Sequence, residues 1–145
     1  MAVQSMHHVS VVVNDLEGAI AFFGELGMEL EGQAPIEGDY VDQLNALDGI
    51  RVDIAMMKAP VGDGRLELTK FHAPAVLDGG SGSTPNALGL RSVMFTVDDV
   101  DATVAGLKAR GAELVGEVVQ YEDYYRLAYV RGPEGIIVAL SEELG

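Results

Sequence analysis

The sequence predicts an α+β fold built from two tandem βαβββ modules, each with a mixed sheet. The main observation is an internal repeat: residues 8–32 (HVSVVVNDLEGAIAFFGELGMELEG) align without a gap on residues 92–116 (SVMFTVDDVDATVAGLKARGAELVG), with eight identities in 25 positions. Each copy has a strand pattern followed by a helix pattern, and further strand patterns follow each copy. A repeat of this kind indicates one supersecondary unit present twice.

The first copy begins with a strand and continues into a helix. Residues 7–13 are mostly β-branched, and alternation places His8 on the opposite face from its neighbours. Asn14 then predicts the helix N-cap, with Glu17 three residues later as in a capping box. Gly27 predicts the left-handed residue that ends the helix. The predicted buried stripe consists of Leu16, Ile20 and Phe23.

The second copy has the same order of signals. Asp98 predicts the N-cap and Gly111 the end of the helix. Its predicted buried stripe consists of Val100, Val104 and Leu107.

Further strands complete each module. They are predicted at residues 51–58 and 65–71 in the first half, and at residues 115–120, 124–130 and 136–141 in the second. The first half also carries an insertion of about a dozen residues, because Glu67 and Ala139 correspond at an offset of 72 rather than 84. Within it, residues 39–47 predict a short helix that carries the apolar residues Tyr40, Leu44 and Leu47.

The chain is expected to form one domain, residues 1–145. Module one covers about residues 6–72 and module two about residues 90–141. Between them, a linker is predicted at about residues 73–89, because that stretch is rich in proline, glycine, serine and threonine.

Composition excludes several classes of function. The net charge is −14, from 23 acidic and nine basic side chains, which disfavours nucleic acid and anionic membranes as partners. The absence of cysteine excludes disulfides, thiolate metal sites and a cysteine nucleophile. No secretory signal or membrane-spanning stretch is visible, so a cytoplasmic location is expected.

Sheet physics suggests where a site would lie. One helix covers only one face of a four-stranded sheet, so the other face has to meet another sheet or a ligand. Two such modules side by side are expected to curve into a cup. The long linker would permit exchange between chains, so a homodimer is also expected.

The pattern H-V-x-V-x-V-x-D-L-x-x-A-I-x-F-F, with PEGIIV near the end, resembles the vicinal oxygen chelate superfamily. That group includes glyoxalase I, methylmalonyl-CoA epimerase, extradiol dioxygenases, fosfomycin-modifying enzymes and bleomycin-resistance proteins. The resemblance covers nearly the whole chain and implies the glyoxalase/bleomycin-resistance fold. It does not specify the chemistry, because the superfamily hosts several functions on one scaffold.

The resemblance also implies four metal-ligand positions, two in each half. In this chain those positions are His8, Glu67, Ser92 and Ala139. His8 and Glu67 are metal-binding residue types, whereas alanine offers no side-chain donor. Catalytic zinc normally has three protein ligands, so no functional metal and no cofactor is expected. A divalent metal at His8 and Glu67, or an acid–base pair there, stays an alternative.

The remaining candidates are suited to binding a flat apolar molecule. Methionine adapts to irregular ligands, tyrosine stacks, and arginine bonds carbonyls or stacks on rings. The predicted ligand-binding set is His8, Tyr40, Met56, Met57, Glu67, Phe71, Ser92, Met94, Tyr124, Tyr125, Arg126 and Tyr129, with Tyr121 in the same tyrosine cluster.

The leading functional hypothesis is non-catalytic binding and sequestration of a hydrophobic, polycyclic aromatic antibiotic or metabolite. It follows the drug-binding resistance branch that the chain resembles in its incomplete metal set. The alternative is a metal-dependent lyase, isomerase or dioxygenase with an atypical centre. A ligand-sensing or accessory subunit is the third possibility.

Overall fold

Two mixed β-sheets, each with one helix packed on a face, form the structure, a computed structural model that describes residues 2–80 and 83–145. The chain divides into two compact units, residues 1–78 and 79–145. The predicted α+β class with two repeated modules is therefore confirmed. The cup and the homodimer stay predictions.

Unit 1 is the first module with its insertion. Its elements are β1 (Val9–Val12), α1 (Leu16–Leu26), β2 (Glu29–Glu37), α2 (Asp39–Asn45), β3 (Arg51–Lys58) and β4 (Arg65–Ala73). The strand order is β1-β4-β3-β2, with β1 parallel to β4 and the other pairs antiparallel. The short helix predicted in the insertion is present as α2.

Unit 2 repeats that plan without the insertion. Its elements are β5 (Ser92–Thr96), α3 (Val100–Ala109), β6 (Glu113–Leu114), β7 (Val119–Tyr121), β8 (Tyr125–Arg131), a 3₁₀ turn (Pro133–Gly135) and β9 (Ile137–Glu143). The strand order is β5-β9-β8-β6, and β7 also pairs with β8.

The edge strand of unit 2 differs from its prediction. A single strand over residues 115–120 was expected, but two short strands, β6 and β7, flank a break that contains Gly116. Glycine has a high conformational freedom and no side chain to pack, so it favours an interruption in a strand.

The core of unit 1 lies between α1 and one face of the sheet. Leu66 and Leu68 alternate inward on β4, as do Ala55 and Met57 on β3, and all four are buried. The buried residues of α1 are Leu16, Ala19, Phe22 and Phe23, so Ala19 and Phe22 take the place predicted for Ile20. In α3 the predicted stripe of Val100, Val104 and Leu107 is confirmed.

The helices α1 and α3 each begin one residue later than the sequence predicted. Asp15 caps α1 by accepting a hydrogen bond from the backbone N–H of Gly18, and Asp99 caps α3 through the N–H of Ala102, at 2.9 and 3.0 Å. The carboxylate of the residue just before the helix reaches the N–H of the third helical residue, which has no partner within the helix. Asn14 and Asp98 are therefore not the N-caps. The predicted left-handed end of α1 at Gly27 is confirmed, with φ 113°.

The predicted linker, on both sides of the boundary between the units, has no regular structure in its described part beyond the end of β4. Residues 74–80 and 83–91 form neither helix nor strand. None of the helices in the described chain is long and apolar enough to span a membrane.

Candidate functional site

The face of the first sheet that α1 leaves uncovered carries the polar candidates. Strand register places Ser10 of β1 beside Glu67 of β4, and Glu67 beside Met56 of β3. Directly paired residues in neighbouring strands point to the same face, so this row crosses three strands on one surface. His8, just before β1, joins the row through its contact with Glu67.

The carboxylate of Glu67 is held by neighbours on both oxygens. Oε1 accepts hydrogen bonds from the hydroxyls of Ser10 and Thr69, at 3.2 and 3.3 Å. Oε2 lies 3.5 Å from Nε2 of His8, whose Nδ1 is 2.7 Å from Nδ1 of His7. The side chains of His8 and Glu67 are 30% and 21% exposed, so this polar cluster remains reachable from solvent.

A second ion pair, between Arg65 and Glu31, shifts the pKa values of both residues. The Arg65 guanidinium donates two hydrogen bonds to Glu31, both at 3.1 Å. That contact lowers the pKa of Glu31 and raises the pKa of Arg65, chiefly through the hydrogen bonds. Arg65 and Glu67 are two residues apart on β4, so their side chains lie on the same face of the sheet.

The equivalent row in unit 2 has a different chemistry. Met94 of β5 pairs with Ala139 of β9, and Ala139 pairs with Tyr129 of β8. Ala139 is completely buried, whereas Met94 is 55% and Tyr129 40% exposed. The row therefore has a small buried methyl group between an exposed thioether and an exposed aromatic ring.

The register establishes which residues correspond in the two units. Ser10 and Met94 are separated by 84 positions, and their direct partners, Glu67 and Ala139, by 72 positions. These are the offsets read from the sequence. The correspondence of His8 with Ser92 and of Glu67 with Ala139 is thus supported by strand pairing as well as by alignment.

The tyrosine cluster extends from that row to the end of β8. Tyr125 pairs directly with Tyr121 of β7, so both rings stand on the face that carries Tyr129. Tyr124 lies in the connecting turn, with its ring centroid 6.0 Å from that of Tyr121. All four rings are exposed. We call Met94, Ala139, Leu127, Tyr121, Tyr125 and Tyr129 the tyrosine face.

Four of the predicted ligand-binding residues lie elsewhere. Met57 is buried on the face under α1, because it alternates with Met56. Arg126 alternates with Tyr125 and points to the side of α3, where it donates bonds of 2.7 and 2.9 Å to Asp101. Tyr40 is 63% exposed on α2. Phe71 is on the same face as Glu67, but it packs against the apolar cluster beneath α2.

Arg126 and Asp101 form an ion pair on the helix side of the second sheet. Its hydrogen bonds lower the pKa of Asp101 and raise the pKa of Arg126. Glu142, opposite Arg126 in β9, accepts the N–H of Val100 at 2.8 Å. Together these contacts attach the first turn of α3 to the sheet.

Sequence reasoning did not single out Ser10, Thr69 and Leu127 as site residues. Ser10 and Thr69 hold Glu67, and Leu127 lies in the tyrosine face between Tyr125 and Tyr129. Alternation from Glu67 or Tyr125 would have found Thr69 and Leu127, since residues two apart in a strand share a face.

The donor set does not fit the metal site that the resemblance implies. In the residues that the structure describes, no group of three or more His, Asp or Glu side chains is arranged to hold a metal ion. His8 and Glu67 converge through Oε2, whereas both hydroxyl hydrogen bonds of Glu67 are to Oε1, so this pair offers two donors where catalytic zinc normally has three. The equivalent positions in unit 2 provide only the exposed hydroxyl of Ser92 and the methyl group of Ala139.

A family model described as the glyoxalase/bleomycin resistance protein/dioxygenase superfamily matches residues 5–140. A glyoxalase family protein from Bacillus cereus is 49% identical, with a TM-score of 0.94, and covers 100% of this chain and 99% of its own. YaeR of Escherichia coli (strain K12), an uncharacterized protein, is 27% identical over 146 residues, covering 99% of each chain.

More distant structures share the fold. TnmS3, an antibiotic binding protein from Streptomyces sp. CB03234, is 22% identical with a TM-score of 0.64, covering 99% of this chain and 98% of its own. At that identity the likeness concerns the fold alone.

Proposed function

The chain belongs to the glyoxalase/bleomycin resistance protein/dioxygenase superfamily, and we propose that it binds and sequesters a hydrophobic, polycyclic aromatic antibiotic or metabolite without altering it. The observation that carries this proposal is the row Met94–Ala139–Tyr129. At the position equivalent to Glu67, the second unit has a methyl group flanked by two exposed, polarisable side chains.

The physical argument rests on apolar surface that water now covers. Methionine adapts its shape to a ligand, and tyrosine provides a stacking face with a polar tip. A flat ligand that covered roughly 200 Å² of apolar surface would gain about 5 kcal/mol from that burial, before the cost of ordering is subtracted. Ala139 is itself buried between Met94 and Tyr129, so the exposed surface that a ligand would cover belongs to those two side chains.

A related scaffold supports the choice of an antibiotic as ligand. TnmS3 has this fold and is an antibiotic binding protein. A fold can host many functions, so TnmS3 serves as a precedent for the scaffold, and the exposed tyrosine face is what extends it to this chain.

Assembly and location belong to the same proposal. We expect a homodimer in the cytoplasm that takes up a small molecule rather than nucleic acid or a membrane surface. The net charge of −14 supports the last point, because both of those partners are polyanionic. We also propose that the protein works without a metal or cofactor.

Tyrosine fluorescence tests ligand binding directly. The chain has no tryptophan, and four of its five tyrosines lie within residues 121–129. Titration with a panel of polycyclic aromatic antibiotics and quinones should quench this emission. If no compound binds with a Kd below about 10 μM, roughly −7 kcal/mol, the proposal fails.

Variants locate the site. Tyr129→Ala and Met94→Ser should each raise the Kd of a bound compound about tenfold, which corresponds to about 1.4 kcal/mol. Val61→Ala is the matched control, because Val61 is an exposed apolar residue in the β3–β4 turn of unit 1. An equal loss in Val61→Ala would mean that the tyrosine face is not the site.

The rival function is a metal-dependent lyase, isomerase or dioxygenase, and the convergence of His8 and Glu67 is the observation in its favour. Metal analysis of the purified protein separates the two. A metal bound at one ion per chain and lost in His8→Ala would overturn the metal-free proposal. Recovery of the bound compound in a chemically altered form would favour an enzyme.

A further inference from the structure

The second face of unit 1 is the structural equivalent of the tyrosine face. Because Met56 and Tyr129 are the direct partners of Glu67 and Ala139, the correspondence continues along β3 and β8. Ile54 then corresponds to Leu127, and Val52 to Tyr125. Their neighbours on the edge strands, Ile36 and Tyr121, correspond in the same way.

The two equivalent surfaces differ in what covers them. In unit 2, Tyr125 and Tyr121 are exposed. In unit 1 the helix α2, which has no counterpart in the repeat, places Val41 against this surface. The resulting apolar cluster contains Val41, Ile50 and Val52, with Ile36, Ile54 and Phe71 packed against it.

α2 is attached in a way that leaves it separable from the sheet. The carboxylate of Asp42 accepts hydrogen bonds from the backbone N–H groups of Gly49 and Ile50, at 3.0 and 2.9 Å. Both donors precede β3, so these bonds connect α2 to its own loop rather than to a strand of the sheet. Val41 is the buried residue of the helix. Apolar packing by Val41 and the adjoining Ile50 thus holds the helix against the sheet.

Both ends of the insertion have backbone conformations suited to a hinge. Gly38, before α2, has φ 129°, and Gly49, before β3, has φ 69°. Glycine adopts such angles at little steric cost, so the backbone can change conformation more readily at these two positions than at residues with a Cβ.

We propose that α2 is a built-in cover over a second binding face, and that a neutral planar aromatic compound occupies this face when α2 lifts. The inference rests on the proposed function, because it assigns the same ligand chemistry to the equivalent surface. The face is mainly aliphatic, with Phe71 as its aromatic residue, and Glu67 with its hydroxyl donors forms its polar end. In the native protein the covered face is the weaker of two sites.

Loosening the cover tests the proposal. The probe is 1-aminoanthracene, a neutral planar tricyclic fluorophore. Val41→Ser should bring the stoichiometry from one tight site per chain to two, with the second Kd lowered about tenfold or more relative to the native chain. The matched control is Leu44→Ser, the same type of change on the same helix, at a residue that is 81% exposed. It should leave the stoichiometry unchanged.

Two further measurements keep the test decisive if Val41→Ser folds poorly. Asp42→Asn weakens the acceptor for Gly49 and Ile50 and should strengthen second-site binding about threefold. In the native chain, saturating probe should accelerate hydrogen exchange at the amides of Gly49 and Ile50. Slower exchange at these amides would contradict the lifting of α2.

The outcomes separate this inference from the proposed function. A second site in Val41→Ser that is lost on adding Phe71→Ser supports the covered face, whether or not the tyrosine face binds. An unchanged single site in Val41→Ser and Asp42→Asn overturns the covered face and leaves the proposed function standing. No probe binding in any variant overturns the covered face, whereas the proposed function stands or falls with the panel of antibiotics and quinones.

Discussion

At the residue scale, Glu67 and Ala139 show how one strand position can serve two purposes. Register makes them equivalent, yet Glu67 accepts two hydroxyl hydrogen bonds while Ala139 lies between Met94 and Tyr129. A buried or half-buried carboxylate needs such partners, whereas a methyl group needs only contact. The sequence predicted the pair of positions. Which hydroxyls would reach Glu67 depended on the register of β1 against β4.

A prediction at this scale concerns the helix caps. Asp15→Ala and Asp99→Ala should each lower the free energy of unfolding by about 1 kcal/mol, because each removes an acceptor for a helix N–H. Urea denaturation measures the change. The control is Asp98→Ala, at the position the sequence predicted as a cap, which should cost less than about 0.5 kcal/mol. An equal loss at Asp98 would contradict the observed capping.

A second residue-scale prediction concerns pH. The hydrogen bond from Arg126 holds the pKa of Asp101 below its ordinary value near 3.8. The ion pair therefore contributes stability above that pH and loses it as the pH falls through the lowered pKa. Asp101→Asn should unfold at a lower temperature than the native chain at pH 5–7, with the difference shrinking below pH 3.8. A difference that is constant down to pH 2 would exclude this linkage.

At the element scale, α2 is the main departure from the repeat. The insertion that contains α2 was predicted from the difference between the two offsets, and the helix from its sequence pattern, but its packing was not predicted. Sequence pattern identified Tyr40, Leu44 and Leu47 as its apolar residues, whereas the structure buries Val41 and leaves those three exposed. Helical periodicity gives a stripe, but the orientation of a seven-residue helix depends on the surface that it meets.

The element-scale prediction concerns the end of α1. Gly27→Ala should lower the free energy of unfolding by about 1 kcal/mol, because the left-handed φ of 113° disfavours any Cβ. Gly24→Ala is the matched control inside the same helix, where an added Cβ meets no atom within 4 Å. It should raise stability by about 0.5–1 kcal/mol. Equal effects of the two changes in urea denaturation would refute the conformational argument.

At the scale of the whole molecule, the two units have the same topology and different open surfaces. Unit 1 has a polar row and a face covered by α2, and unit 2 has an apolar row and an exposed tyrosine face. This difference between the two surfaces is the basis on which we propose ligand binding rather than metal-assisted chemistry.

The whole-molecule prediction concerns ligand and metal linkage. A ligand at 100 times its Kd should raise the free energy of unfolding by about 2.7 kcal/mol, because it binds only the folded chain. EDTA at about 1 mM, a large excess over the protein, should leave the melting temperature unchanged. Differential scanning calorimetry measures both. A fall in melting temperature with EDTA that zinc reverses would point to a metal site.

The sequence by itself determined the fold class, the repeat and the two positions where the units differ. These depend on local pattern: alternation for strands, helical spacing for α1 and α3, and left-handed glycine at Gly27. Only the tertiary structure decided which face each candidate occupies. Met57 and Arg126 lie on the helix-covered faces of their sheets. Ser10 and Thr69 donate hydrogen bonds to Glu67. The helix α2 packs on the face of unit 1 that is equivalent to the tyrosine face. The reason is that a residue's face depends on strand register and strand ends, and a shift of one residue reverses it.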